Sequence, residues 1–491
     1  MDTERVLPDH TVVVEGELIA AVGPVSDVVV PTGAKIIDGE GAFLMPGLAD
    51  MHAHLNLDPS PDFMRLFLAE GVTTVRNLNA LPRHIEWKDE VVRGTRIGPT
   101  LYTSGPVIVG PPDPIIVWMF RALILGVLLA GGLAVWTALW LLRRLRGRTE
   151  DARRLRRTLL PGALAILALG LVILWTKAIP INTYTVRQFP FAYVPDTVER
   201  ARAEVRRQVE AGYDLIKMYD YLPRDLYLGA IEEARAQGMY VVGHLDHGVE
   251  DPLAAGLREA VHVDEFLDEH LMGKMSPRAF ESIPMNLETI HESIASVVRH
   301  DALVVSNLVT DEITYEYLEQ GPGYFARPEY ARLRPAIITG WLGGRMVDWQ
   351  GQQEWRRNTL QPFLVRMIQS LHTAGVPILI GTDTGTEGAL PWHIHSDLEL
   401  LVEAGLSPFE ALAAGTKNAR LSVNRMGVAD VFGEVAVGQR ADLILVKSNP
   451  LENVGATRTR LGVMSRGRWY AQEELERLVA DLVTTYMSEP R

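Results

Sequence analysis

The chain has no cysteine among its 491 residues. Disulfides and thiolate metal sites are therefore excluded, so a metal would have to be held by histidine, carboxylate or a modified lysine. Positive charge is also scarce: 48 Lys and Arg stand against 61 Asp and Glu, a formal net charge of −13. An acidic body of this kind argues against nucleic acid as a partner, because phosphate backbones are met by basic patches. The opening residues, MDTERVLPDHTVVVEG, lack a charged-then-apolar export signal. What is present is a hydrophobic content of 47% against 22% charged. That is enough for a sizeable core, and the length suits one large domain and a smaller one.

Charge is missing altogether from one stretch. Residues 122–142 read ALILGVLLAGGLAVWTALWLL, and a second apolar run, TLLPGALAILALGLVILW, covers 158–175. Eight arginines lie between them, against only Glu150 and Asp151. Apolar runs of roughly 20 residues match the hydrocarbon thickness of a bilayer. Trp118, Trp136, Trp140 and Trp175 stand near their ends, as interfacial aromatics do. These features predict a two-helix transmembrane hairpin and a multi-pass membrane protein. Its Arg-rich loop would be cytoplasmic and its body extracytoplasmic. An extracytoplasmic body without a leader would need a start upstream of Met1.

The segment that organises the rest is LMPGLADMHAHL at 44–55. Residues i and i+2 of a strand point to one side, so His52 and His54 can project from one strand end into one pocket. Two imidazoles fixed in that way are the start of a metal site, although two surface histidines in a turn would read the same. Before this segment, TVVVEGELIAAVG reads as a hairpin, and short strands continue to residue 45. GEVAVGQRADLILV (433–446) and VMSRGRWY (463–470) have the same short-strand character. A small β-sandwich domain built from both termini is predicted, with halves at 1–45 and 426–491, the latter including a terminal helix.

Between the two halves strands alternate with helices. Strands are predicted within 71–78, 99–106, 213–219, 240–248, 260–266, 302–308 and 376–385. Helices are predicted at 198–212 and 226–238, in a short helix capped by Asp251, and after the Ser407–Glu410 capping box. With the first strand this makes about eight strands, the pattern of an α/β (β/α)8 TIM barrel split into 46–112 and 181–425 around the insertion at 113–180. Candidate groups fall at the carboxyl ends of separate strands: His52 and His54, Lys217, His244, His262 and Asp383. Each alone has a plain structural explanation. Their joint placement on one rim is what points to catalysis.

These segments resemble the amidohydrolase superfamily, in its imidazolonepropionase-like and prolidase-like metal-dependent branch. The likeness is carried by PGLADMHAHL (46–55), GVTTVRNL (71–78), AGYDLIKMY (211–219), VVGHLDHG (241–248) and GVPILIGTDTG (375–385). HSDLELLVEAGLSP (395–408), GTKNARL (415–421) and 433–446 extend it. The resemblance implies two divalent metals, taken to be zinc. His52 and His54 would hold the first, His244 and His262 the second. Lys217 would bridge them as a carbamate, and Asp383 would touch the first metal and the attacking water. It implies cleavage of a carbon–nitrogen bond, amide or dipeptide-like, in a small-molecule substrate. Ester or lactone hydrolysis on the same site, or a non-catalytic membrane receptor or scaffold keeping the barrel, remain alternatives. Tyr219 and His395 are candidate substrate-binding residues. His262 lies in AVHVDEF where relatives show Glu-His-Gly, which leaves His247 and His270 as substitutes. The hairpin departs from the family pattern, and it suggests a pocket facing the bilayer and amphiphilic substrates.

Overall fold

The computed structural model describes residues 4–58, 60–110, 192–267, 289–334, 337–338, 351–386 and 388–488. The chain divides into two compact units: Met1–Ile108, Pro195–Asp220 and Arg224–Arg491 in one, Val109–Val194 and Tyr221–Pro223 in the other. Every strand among the described residues belongs to the first.

The fold is α/β. Three strands, β4 (Leu48–Ala53), β5 (Val72–Asn77) and β6 (Thr100–Thr103), pair in parallel. Five more form a second parallel sheet: β7 (Leu215–Met218), β8 (Tyr240–Gly243), β9 (Glu259–Ala260), β10 (Leu303–Val305) and β11 (Ile378–Leu379). Hydrogen bonds cross between the sheets at both edges. Asp214 N donates to Thr103 O at 2.9 Å, and Met51 N donates to Ile380 O at 3.0 Å. The strands are short and buried on both faces, as parallel strands covered by helices must be. Their apolar residues, among them Met51, Leu215, Val242 and Leu379, join one cluster with Ala419, Val423 and Phe432.

Local sequence explains the helices between them. Thr197 caps Val198–Glu210 by accepting from Arg200 N at 3.3 Å, and Ala201 and Val205 bury one face of that helix. At Ser407 the reciprocal box forms: its hydroxyl accepts Glu410 N at 3.3 Å, and Glu410 accepts Ser407 N at 2.8 Å. The helix Glu250–Ala255, by contrast, is not capped by Asp251. Val249 holds the cap position, and Asp251 accepts from Arg224 Nε at 2.8 Å instead.

The two ends of the chain meet in an antiparallel sheet. Its order is β14 (Arg468–Ala471), β13 (Arg460–Ser465), β12 (Leu443–Val446) and β3 (Phe43–Pro46). The hairpin of β1 (His10–Glu15) and β2 (Leu18–Pro24) packs on it through Ile19, Ala441 and Leu443. Fewer strands form here than the apolar alternation predicts. Gly433 and Gly438 take positive φ (85° and 82°), so 433–442 turns instead of extending.

The multi-pass membrane placement needs correction. Among the described residues no helix is long and apolar enough to cross a membrane. The longest, Gln472–Ser488, has 17 residues and carries Glu473, Glu474, Glu476, Arg477 and Asp481. The apolar runs at 122–142 and 158–175 and the arginines between them lie outside the described residues. The cytoplasmic loop and extracytoplasmic body that rested on them are withdrawn.

Candidate metal centre

β4 carries His52 within the strand and delivers His54 one residue past its end, where the backbone is still extended. Asp383 faces them from the segment after β11. Its N–H donates to His52 O at 2.7 Å, and its backbone is left-handed, with φ of 53°. For a non-glycine residue that conformation is costly and clusters at functional sites. The result is a tight triad: Asp383 Oδ1 lies 2.9 Å from His54 Nε2 and 3.3 Å from His52 Nε2. Gly381 allows the approach, since a Cβ there would stand 2.7 Å from His52 Cβ. Beneath, Asp50 Oδ1 accepts the N–H groups of His52 and Thr382, both at 3.1 Å. The His52 ring is turned by Val261 O, 3.1 Å from Nδ1.

A second group of three gathers around β8. His244 Nδ1 lies 2.7 Å from Asp220 Oδ1 and 2.8 Å from Glu265 Oε1. Glu265 also accepts Leu245 N at 3.1 Å. In each triad the three ligand atoms lie within 4.8 Å of one another. His262 stands between the triads, its ring centroid 4.5 Å from that of His52 and 5.0 Å from that of His244. Lys217, on β7, is fully buried. The carboxylates of Glu265, Asp383 and Asp220 are close enough to act on it electrostatically.

Electrostatics follow from burial opposed by neighbours. Burial drives His52 and His262 well below the ordinary histidine range, which keeps them neutral, the form that binds metal. Burial also lowers Lys217 to about 7, against the pull of the three carboxylates. It would raise Asp383, but the imidazoles of His52, His54 and His262 outweigh it and hold the carboxyl well below its usual range. His244 goes the other way: burial lowers it, but Asp220 and Glu265 bring it up to about 9.

The structure thus brings His52, His54, His244, His262, Lys217 and Asp383 into one neighbourhood. Tyr219 joins them, with its ring 4.2 Å from that of His244 and Lys217 Nζ 5.6 Å from its centroid. His395 does not. Its Nδ1 lies 2.8 Å from Thr457 Oγ1, and its Nε2 2.8 Å from Arg460 Nη1 and 3.4 Å from Glu70 Oε2. Both nitrogens are engaged in a buried charge network, which replaces the substrate-binding role expected for it. His247 packs on Tyr227 at 5.3 Å, and His270 lies outside the described residues. Asp220 and Glu265 were not singled out from the sequence. The only hint of them is an acid directly following each of two strand-end motifs, in KMYD and HVDE.

The donor set fits a divalent cation. Lys217 Nζ and His244 Nε2 are buried with no hydrogen-bond partner. Asp383 Oδ1, close as it is to two imidazoles, also has no aligned donor. Native interiors seldom leave such groups unmatched, and a bound cation is one of the ordinary explanations.

An α/β scaffold with histidines and acids clustered past its strand ends defines a class, and the sequence agrees. The pattern of the Amidohydrolase family matches residues 43–470, and the chain belongs to that family. Among curated proteins it is similar to ochratoxinase from Aspergillus niger, 24% identical over 278 residues. That match covers 53% of this chain and 46% of ochratoxinase, so the chain aligns with less than half of that relative. Among solved structures it is similar to a putative prolidase from Bifidobacterium longum, with a TM-score of 0.59 at 20% identity, covering 96% of this chain and 93% of the other. A bottromycin amidohydrolase superposes with a TM-score of 0.62 at 20% identity, covering 99% and 87%. At these identities the structural likeness concerns the fold.

Proposed function

We propose that the chain is a metal-dependent hydrolase that cleaves a carbon–nitrogen bond, an amide to an amino acid or a dipeptide-like linkage, in a small molecule. The observation that carries this is the pair of triads joined through His262, with a buried, unpaired Lys217 amine beside them. We read the two parallel sheets, hydrogen-bonded at both edges, as one closed (β/α)8 barrel with the site past the carboxyl ends of its strands. The names of the relatives, an ochratoxinase, a prolidase and an amidohydrolase, agree with an amide substrate.

His52, His54 and Asp383 would hold one cation, and His244 and His262 a second; the number of imidazoles suits zinc. Lys217, lowered to about 7 by burial, is partly neutral at that pH, and in that form it could take up carbon dioxide and would offer the metals a carboxylate. When bound, the metals supply an acidified water and a polarised substrate carbonyl. Asp383 stays ionised, so its carboxylate can accept the proton of the attacking water and pass it to the departing nitrogen. The positive φ of Asp383 and its N–H bond to His52 O hold that carboxylate over the two imidazoles. The left-handed turn therefore positions the group that moves the proton. Tyr219, stacked on His244, forms part of the wall beside the site.

The test is to strip the purified protein with a chelator, then assay N-acyl amino acids, dipeptides and lactones before and after adding back zinc, cobalt or manganese. Amide hydrolysis that is lost on stripping and returns with metal is the expected result. Turnover of amides that chelation leaves untouched would overturn the proposal.

A further inference from the structure

The strand that lies between those leading to His262 and Asp383 also ends in a polar residue with nothing to bind. Asn307 follows β10 and is 1% exposed, yet neither its Oδ1 nor its Nδ2 has a hydrogen-bond partner among the described residues. Val305 pairs with Leu379 on β11, so two residues on Asn307 comes level with Gly381. Val304 pairs with Ala260 on β9, which puts Asn307 level with Val263, beside His262. At Gly381 the end of β10 meets the metal centre. A Cβ there would stand 2.7 Å from both Val305 Cγ1 and His52 Cβ.

The backbone is held firmly around this idle side chain. Ser306 N donates to Leu379 O at 2.9 Å, and Asp397 accepts from Ser306 Oγ and, at 3.3 Å, from Val309 N. Asn307 O accepts Thr310 N at 3.2 Å and Thr310 Oγ1 at 2.7 Å. The residue itself is left-handed, with φ of 47° and ψ of 26°. Asparagine tolerates that conformation, so the turn alone would account for the residue type. It does not account for the amide. The side chain does not cap the helix Leu308–Gln320 that begins there, and burying an amide with neither end paired is costly.

We propose that Asn307 is a substrate-binding residue that reads one amino-acid unit: Oδ1 accepts the N–H of the scissile amide, and Nδ2 donates to the carboxylate of the same amino acid. In an extended residue the N–H and the carbonyl oxygen point to one side, as they do where antiparallel strands exchange two bonds. One carboxamide therefore meets both. A carboxylate alone offers only acceptors and leaves Oδ1 unanswered, and an ester or lactone has no N–H to give. This rests on the amide-hydrolase reading above and deepens it. The preferred substrate is a secondary amide of an α-amino acid, and amides alkylated on nitrogen, a prolyl linkage among them, are poorer ones.

The experiment measures kcat/KM of the zinc-loaded full-length protein on the N-benzoyl derivatives of glycine, alanine, leucine and phenylalanine, each beside its N-methyl counterpart. Wild type is compared with N307G and N307D, since both replacements accept a positive φ. Wild type is expected to prefer the N–H member of each pair by about 10–100-fold, the cost of leaving a buried acceptor unmet. N307G removes both contacts, and the preference should fall close to unity. N307D keeps an acceptor, so the preference should persist while KM rises. Exchanging the substrate carboxylate for a carboxamide should bring that KM back, because two carboxylates no longer face each other. Zinc content should equal that of wild type in both variants. A preference that N307G leaves unchanged, with activity down equally on both members, would make Asn307 structural and overturn the proposal. A wild type without the preference would overturn it too. Should N307G not fold, N307D decides: a KM that does not rise, or that the carboxamide does not recover, overturns it. Zinc content below wild type would place Asn307 among the supports of the metal and also overturn it. Turnover that survives chelation would sink the metal-dependent reading while the preference still tests Asn307. A wild type that hydrolyses no amide would sink the functional reading and this proposal together.

Discussion

The same strand carries two opposite treatments of buried charge. β9 begins at Glu259, and two residues past its end lies His262. Around Glu259 every need is met. Arg76 pairs with both of its carboxylate oxygens, and the guanidinium also donates to Met51 O at 2.8 Å and Ser422 Oγ at 2.9 Å. Ser422 and Tyr240 complete the carboxylate at 2.9 and 3.3 Å. Around His262 the needs are left open: Lys217 Nζ and His244 Nε2 have no partner. Both regions are buried and rich in ionisable groups. The completed network is structure. The incomplete one coincides with the proposed metal site, and burial without pairing separates the two better than charge does.

That contrast can be broken or sharpened by substitution. Asp383→Asn should have the largest effect. Asn accepts a positive φ, so the fold should survive, while turnover falls by about 10²–10⁴-fold through loss of the proton acceptor. Steady-state kinetics beside circular dichroism checks both halves. Glu259→Ala should do the reverse. It strands a buried guanidinium and is expected to cost about 3–5 kcal/mol in denaturant unfolding, with metal stoichiometry unchanged in the protein that remains folded. Lys217→Met should abolish activity yet stabilise the metal-free protein by roughly 1–3 kcal/mol, because a buried unpaired amine is replaced by apolar volume. A drop in the melting temperature of metal-free Lys217→Met would mean that the amine is satisfied after all.

The smallest effect is confined to acid. Burial raises Glu70, but Arg460, His395 and Arg332 outweigh it and bring its pKa to about 2, below the ordinary 4.5. A carboxylate depressed on folding stabilises fully above its unfolded pKa and loses that contribution as pH falls through the folded one. The stability gap between wild type and Glu70→Gln should therefore be constant above 4.5 and close between 4.5 and about 2. Denaturant unfolding at several pH values measures it.

Much of the centre was legible because its residues announce themselves locally. His52 and His54 sit two apart at the end of an apolar run, Lys217 lies near the end of a short apolar strand, and His244 and Asp383 each follow one. The second triad was only half legible. Asp220 and Glu265 look like ordinary loop acids until three strand ends are brought side by side. His395 failed for the opposite reason. It resembles a pocket residue, but Arg460 and Thr457 on a distant stretch of chain take both its nitrogens, and no local pattern reports that. The Ser407 box was readable because both partners lie within one turn. The Asp251 cap was misread because Arg224, on another helix, competes for the same carboxylate. The membrane expectation came from composition alone, and no described helix supports it.

The pairing of β3 with β12 joins a strand near the start of the chain to one near its finish. A ribosome makes the first long before the second. During synthesis Phe43–Pro46 waits with its backbone groups unmatched, and β4 likewise waits for the segment around Ile380 and Thr384. Contacts this distant in sequence slow folding and leave sticky edges exposed in the meantime. A nascent chain stalled before residue 440 would lack the strand that completes its earliest sheet, and such a chain is where chaperone capture should be sought first.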